Sequence, residues 1–223
     1  MTEPTLTVHH LNNSRSQRVL WLLEELEVPY ALKLYQRDPK TMRAPPELRE
    51  VHPLGKAPVV TDGPHTLAET GAILEYILDR HDTRGLRPAP GTQAHLDYRY
   101  WLHFAEGSAM PPLVMTLVLR RVPSQLPFLL RPIGRAIGKG VEKGFLGPQV
   151  AGNLALMESA LERGWFAGDS FSAADVQMSF PVEATAARFG LQPYPKLADW
   201  LQRIQARPAY RRALEKGGPY AYA

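Results

Sequence analysis

The sequence predicts two domains of different class: an α/β first domain over residues 1–81 and an all-helical second domain over residues 93–223. Three observations point there. Up to His81, short β-prone segments alternate with segments of helical period, in the order β-α-β-(α)-β-β-α. Asp82 to Thr92 (DTRGLRPAPGT) is rich in Pro, Gly and Thr and reads as a linker. Beyond it no strand alternation is found, nor any internal repeat or low-complexity segment. A chain of 223 residues with 44% hydrophobic and 22% charged residues fits one or two ordinary globular domains.

Leu6 to Leu11 is partly alternating and β-prone, a first strand. Asn12-Asn13-Ser14 is turn and cap chemistry. Val19, Leu20, Leu22, Leu23 and Leu26 then recur at helical spacing, and Pro29 marks the exit. Tyr30 to Tyr35 reads as a second strand, and a strand–helix–strand unit implies a parallel pair. Asp38 to Pro46 is a polar, Pro-rich loop with a short helix after it. Ala57 to Thr61, the turn Asp62-Gly63 and Thr66 to Ala68 form a hairpin; Gly71 to His81 is an amphipathic helix.

In the second domain, Gln93 to Leu119 has a long helical pattern, expected to break or bend at Pro111-Pro112. Val122 to Pro148 is punctuated by Pro and Gly and reads as a connecting segment. Gln149 to Glu162 is helical again. Ser172 and Asp175 have capping-box spacing, with Phe171 as a staple onto Val176, and Pro181 is expected to kink the helix they start. Leu197 to Ala206 and Ala209 to Leu214 complete the chain's helices.

The composition excludes several chemistries. There is no cysteine, which rules out disulfides, thiolate metal sites, iron–sulfur ligation and a protein thiol nucleophile. The net charge is +4, but Arg120 to Pro148 alone carries a surplus of five positive charges, so the remainder is −1. That removes most support for nucleic-acid binding. No signal-peptide pattern and no apolar run near the roughly 18 residues of a membrane span is seen, so a cytoplasmic protein without stable membrane association is expected. The cationic stretch Leu126 to Gly147 is partly amphipathic, as interfacial helices are, but solvated charges on a connector are the plainer reading. His9 and His10 point to opposite strand faces and cannot share a metal, so no metal site is expected. Gly134 to Gly140 lacks the spacing and Ser/Thr of a phosphate-binding loop, and no G-x-S-x-G is present.

Three segments of the first domain carry chemistry. Ser14 and Ser16 lie between strand and helix, where unpaired N–H groups and the helix dipole favour an anion; a simple helix cap is the alternative. Lys56-Ala57-Pro58 opens a strand. A cis bond there would present the Ala57 backbone to an extended peptide; an ordinary trans bond is the alternative. Glu69-Thr70 opens the third helix, whose N–H groups suit a carboxylate while Glu69 suits an ammonium; again a cap is the alternative. Together they suit a small zwitterionic peptide.

These residues resemble the cytosolic glutathione S-transferases, over essentially the whole chain. Ser14 with Arg18 four residues on is similar to the serine-type, theta-like branch. His52-Pro53-Leu54-Gly55-Lys56-Ala57-Pro58 resembles the family's Asn-Pro-Xaa-Gly-Lys-Val-Pro, and Leu67 to Ile73 its Leu-Thr-Glu-Ser-Xaa-Ala-Ile. The Ser172–Asp175 box resembles the family's folding motif in the sixth helix. Asn12 to Arg18 and Tyr100 to Ser108 are similar to a bacterial and fungal subgroup. Thr70 stands for the usual Ser, Ala57 for Val and His52 for Asn.

The resemblance implies a thioredoxin-like first domain, glutathione as co-substrate, a homodimer and a transferase that conjugates glutathione to apolar electrophiles, with peroxidase activity towards hydroperoxides beside it. A non-catalytic glutathione carrier of the same fold is the alternative. It implies that Ser14 donates a hydrogen bond to the glutathione sulfur, and that Lys56 and Arg43 pair with the glycine carboxylate. The Ala57 backbone before Pro58 would take the peptide, and Glu69 and Thr70 the γ-glutamyl end. A free thiol has a pKa of about 8.5. Lowering it two units requires about 2.7 kcal/mol, the size of one charge-assisted hydrogen bond. The apolar substrate is expected against the long helix, with Tyr100, His103 and Phe104 and then Met110, Leu113, Val114 and Leu117 as candidates. With no cysteine, the branches that form a mixed disulfide with glutathione are excluded.

Overall fold

The computed structural model describes residues 6–222. Four strands, β1 (Leu6–Leu11), β2 (Ala31–Tyr35), β3 (Val59–Asp62) and β4 (His65–Ala68), form one mixed sheet in the order β2-β1-β3-β4. β1 and β2 run parallel, joined through α1 (Gln17–Leu26); β3 is antiparallel to both β1 and β4. The strand pleat sorts β1 by face. Leu6 and Val8 enter the main core, whereas Leu11 packs with Tyr35 and with Leu48 of the short helix α2 (Glu47–Val51). α3 (Thr70–His81) follows β4. Residues 82–92 hold no helix or strand, and the Asp82 carboxylate accepts the backbone N–H groups of Arg84, Leu86 and Arg87.

The second half is helical: α4 (Gln93–Phe104), α5 (Met110–Gln125), α6 (Arg131–Val141), α7 (Gly147–Ala160), α8 (Ala173–Phe189), α9 (Pro195–Gln205) and α10 (Pro208–Gly217). α1 shows how the halves join. All ten of its residues are buried, since it packs against β1, α3, α8 and α10. Its two buried acids are matched from the C-terminal end of the chain. Glu25 takes both Arg207 Nε (2.5 Å) and Nη2 (2.9 Å); Glu24 takes Arg212 and Lys216.

Prolines leave carbonyls without helical donors, and side chains supply them. Pro181 does not end α8; it frees the Gln177 carbonyl, which receives Arg18 Nη1 at 2.8 Å. Near Pro111-Pro112 the expected break is a π-turn over residues 105–109, after which the helix continues to Gln125 rather than Leu119. Asn153 Nδ2 donates to the freed Ser108 carbonyl at 2.9 Å. The capping box at Ser172 is formed: Asp175 accepts from the Ser172 N–H and hydroxyl, the Phe166 N–H and the Trp200 ring. Phe171 packs against Trp21 and Trp165.

Two expectations are corrected. The connector over residues 122–148 is largely helix α6 and a further π-turn, Glu142–Leu146. Its glycines do not break it; Gly134 faces Leu126 and Pro123, and Gly138 lies against the Leu119 carbonyl, so α6 packs closely on α5. The continuous helix from Gln93 to Gln125 is also long enough to cross a membrane, and an 18-residue stretch within it reaches a mean hydropathy of 1.2. Its inner side, with Tyr98, Trp101, Leu102, Met110 and Leu113, is buried within the helical domain, as a core helix requires.

Candidate active site

A polar cleft of about 120 Å³ opens where the segment leading into β3, the end of β4 and the start of α3 meet Arg15 and the π-turn between α4 and α5. Lys56, Ala57, Pro58, Glu69 and Thr70 line it, together with Arg15, His52 and Glu106. The Ala57–Pro58 bond is cis. The β3–β4 ladder ends at the Val59–Ala68 pair, so Ala57 lies beyond it at the cleft edge. Glu69, just before α3, is held at φ +69°, a backbone conformation that costs a side-chain-bearing residue energy. That turn brings the first N–H groups of α3 to the cleft. The Thr70 hydroxyl accepts from Arg18 Nη2 at 3.1 Å.

Arg18 is the hub behind the cleft. It is fully buried and reaches Gln177 O, Thr70 Oγ1 and, at 2.5 Å, Glu106 Oε1. Burial pushes its pKa down and Glu106 pulls it back up. Arg15 lies 3.1 Å from the other Glu106 oxygen, and both guanidinium groups sit 5.6 Å from the Phe180 ring centre. One hub thus ties α1, α3, the π-turn and α8 together.

Ser14 is buried and does not line the cleft; its neighbour Arg15 does. Ser14 Oγ lies 2.7 Å from Ser16 Oγ and accepts the Ser16 N–H. Ser16 Oγ accepts the Leu11 N–H and lies 3.0 Å from His10 Nδ1. Burial lowers the His10 pKa to about 4, partly offset by a hydrogen bond to the Gly217 backbone, so His10 is neutral near pH 7. A neutral ring that gives its hydrogen to Gly217 leaves Nδ1 to accept from Ser16. Ser14 then donates to Ser16.

The remaining candidates separate. Arg43 is exposed and does not line the cleft. Tyr100, His103 and Phe104 line a different, open groove on α4 with Leu96, Arg99, Gly107 and Ser108. Met110 and Leu113 instead form a small core with Phe180 and Ala184, against which Tyr220 and Tyr222 pack. Val114 and Leu117 are exposed. The π-turn explains the split: its extra residue rotates α5 by about 100° relative to a straight continuation of α4.

Sequence reasoning passed over Arg15, Glu106 and the acid Glu183. Glu183 is buried, takes hydrogen bonds from Tyr210 and Tyr220, and has its pKa raised by that burial. The signal was present: Glu106 and Glu183 are lone acids in apolar helical runs, and Arg15 and Arg18 are three apart. Among the described residues, no group of three or more His, Asp or Glu side chains is placed to hold a metal.

Two family models match the chain: the glutathione S-transferase N-terminal domain over residues 4–79 and the C-terminal domain over residues 136–208. Glutathione S-transferase 3 of Schizosaccharomyces pombe is 38% identical, covering 95% of this chain and 87% of the relative. Glutathione S-transferase 1 of Saccharomyces cerevisiae is 31% identical, covering 97% of both chains. A glutathione S-transferase of Actinobacillus pleuropneumoniae superposes with a TM-score of 0.79 at 34% identity, over 97% of this chain and 94% of the other. A sphingomonad glutathione S-transferase complexed with glutathione shares the fold, with a TM-score of 0.72 at 24% identity, over 95% of this chain and 98% of the other. The first domain is thus thioredoxin-like and the second is the family's helical domain.

Proposed function

The chain belongs to the glutathione S-transferase family, and we propose that it binds glutathione in the polar cleft and transfers its thiolate to an apolar electrophile. The observation that carries this reading is the convergence of Lys56, the cis Ala57–Pro58 segment, Glu69 and Thr70 on one small polar cleft. In the proposal, residues 1–81 hold glutathione and residues 93–223, beyond the 82–92 linker, supply the apolar wall.

Each part of glutathione has a partner of suitable chemistry. The N–H groups of α3 and the Thr70 hydroxyl take the γ-glutamyl carboxylate, and Glu69 the ammonium. The Ala57 backbone pairs with the peptide as an added strand. Lys56, exposed at the cleft, takes the glycine carboxylate. Arg15 replaces Arg43 as the second cation at the cleft.

Ser14 is the proposed thiol activator, as a hydrogen-bond donor. Its proton turns from Ser16 to sulfur while its oxygen keeps the Ser16 N–H. A hydroxyl pair is worth about 0.5–1.5 kcal/mol and a bond to a charged group about 1.5–3. The net gain is about 1.3 kcal/mol, close to one pKa unit. The thiolate then attacks the electrophilic carbon, forming a C–S bond as the leaving group departs with its electron pair. With a hydroperoxide it attacks oxygen instead, the O–O bond breaks to release the alcohol, and a second glutathione yields the disulfide and water. Phe180, whose ring lies beside Arg15, is the proposed start of the apolar wall, with Met110 and Leu113 packed behind it.

A panel of electrophiles and hydroperoxides assayed with glutathione tests this reading. Turnover with a KM for glutathione that rises in Lys56→Ala supports it. Tight glutathione binding without turnover favours a carrier, a reading that the burial of Ser14 against Ser16 supports.

A further inference from the structure

The cations that composition places in one stretch lie on the α5–α6 hairpin, and their surroundings are unlike those of Arg18. Between the two helices, Pro127 to Leu130 forms an exposed apex in which Phe128 and Leu129 are 72% and 73% accessible. On α6 the buried Gly134 and the half-buried Gly138 face α5. One helical step to one side of them stand Ile133 and Ile137, 57% and 62% accessible. One step to the other side stand Arg135 and Lys139, both exposed. The glycine face therefore sets an apolar edge and a cationic edge on opposite flanks of a surface helix. A cavity of about 270 Å³ between α5 and α6 is lined by Arg120, Arg135 and Lys139, and Glu142, the one acid between Arg120 and Pro148, is already paired with Arg120 at 2.7 Å.

Apolar side chains this exposed at a helical apex cost solvation in water, and among the described residues no carboxylate pairs with Arg135 or Lys139. An interfacial helix has this arrangement: apolar residues enter the acyl boundary while Lys and Arg meet phosphate. We propose that the α5–α6 hairpin docks on the surface of a bilayer containing anionic phospholipids, with the 127–130 apex and Ile133 and Ile137 inserted and Arg135 and Lys139 on lipid phosphates. Charge complementarity selects this occupant: a surplus of five positive charges between residues 120 and 148 matches an anionic surface and repels a second copy of itself. The docking is peripheral, and it does not depend on the reaction proposed above.

Sedimentation with vesicles of phosphatidylcholine, with and without phosphatidylglycerol, tests it. The expected result is binding to the anionic vesicles at about 0.05 M salt, lost in pure phosphatidylcholine and at about 0.5 M salt. Arg135→Glu/Lys139→Glu should weaken it about 30-fold or more. Ile133→Ser/Ile137→Ser should weaken it while glutathione turnover in solution is unchanged. No sedimentation at low salt overturns the proposal, as does equal binding by the wild type and both variants. A serine variant that turns a dimer into a monomer in sedimentation velocity, without vesicle binding by the wild type, assigns the patch to a second copy instead.

Discussion

Two groups of positive charge in this chain have opposite fates. Arg18 is fully buried, and its contacts are a carbonyl freed by Pro181, a hydroxyl at the start of α3 and a carboxylate on the π-turn. The cations of the α5–α6 hairpin stand at the surface beside exposed Phe128 and Ile133, with one acid among them. The first group is satisfied within the chain and builds the site. In the second only Arg120 has a carboxylate among the described residues, and Arg135 and Lys139 are the cations assigned to the proposed membrane docking. Burial separates the two roles more sharply than charge count does, since buried ions persist only when matched.

Removing the hub should have the largest effect. Arg18→Ala leaves the Gln177 carbonyl, Thr70 and Glu106 without their donor. The expected loss is about 3–5 kcal/mol in urea unfolding, with glutathione binding impaired as α3 loosens. A loss under about 1 kcal/mol would break the contrast with the hairpin.

Next is the buried histidine behind Ser14. Its folded pKa of about 4 lies below the ordinary 6.5, so the unfolded chain binds the extra proton between these values. The stability it contributes is present above pH 6.5 and is lost as pH falls towards 4. The shift corresponds to about 3 kcal/mol between pH 7 and pH 4. His10→Gln should flatten the stability–pH curve by about that amount relative to the wild type; parallel curves would mean the ring is not held neutral.

The smallest effect on folding is expected at the hairpin. Arg135→Glu/Lys139→Glu should change unfolding by no more than about 0.5 kcal/mol, as exposed substitutions do. A large destabilisation would show that these cations, like Arg18, have partners within the chain.

Much of this was legible in advance, for local reasons. Leu6 to Leu11 and the Val19–Leu26 period announce their elements because burial on one face dictates spacing. Ser172 and Asp175 announce a cap because its partners are three residues apart. The cleft residues Lys56, Ala57, Pro58, Glu69 and Thr70 converge as their turn and cap chemistry suggests. What failed was information held in tertiary partners. Gly134 and Gly138 read as breakers, yet they permit close helix packing against Leu126 and the Leu119 carbonyl. The π-turn at residues 105–109 shifts helical phase, so Tyr100 and Met110 cannot be assigned to one face by counting. Arg15 reaches the cleft, and Arg43 stays outside, because α1 is anchored by Arg18 whereas the loop before α2 is exposed.

The Ser14–Ser16–His10 chain makes Ser14 a donor with one competing acceptor. The most direct measurement is the ultraviolet absorbance of bound glutathione thiolate against pH, in the wild type and in Ser14→Ala. The expected wild-type pKa lies below the free thiol's value of about 8.5, and the variant's lies about one unit higher at unchanged glutathione affinity. Superimposable titrations in the two proteins would contradict the role given to Ser14.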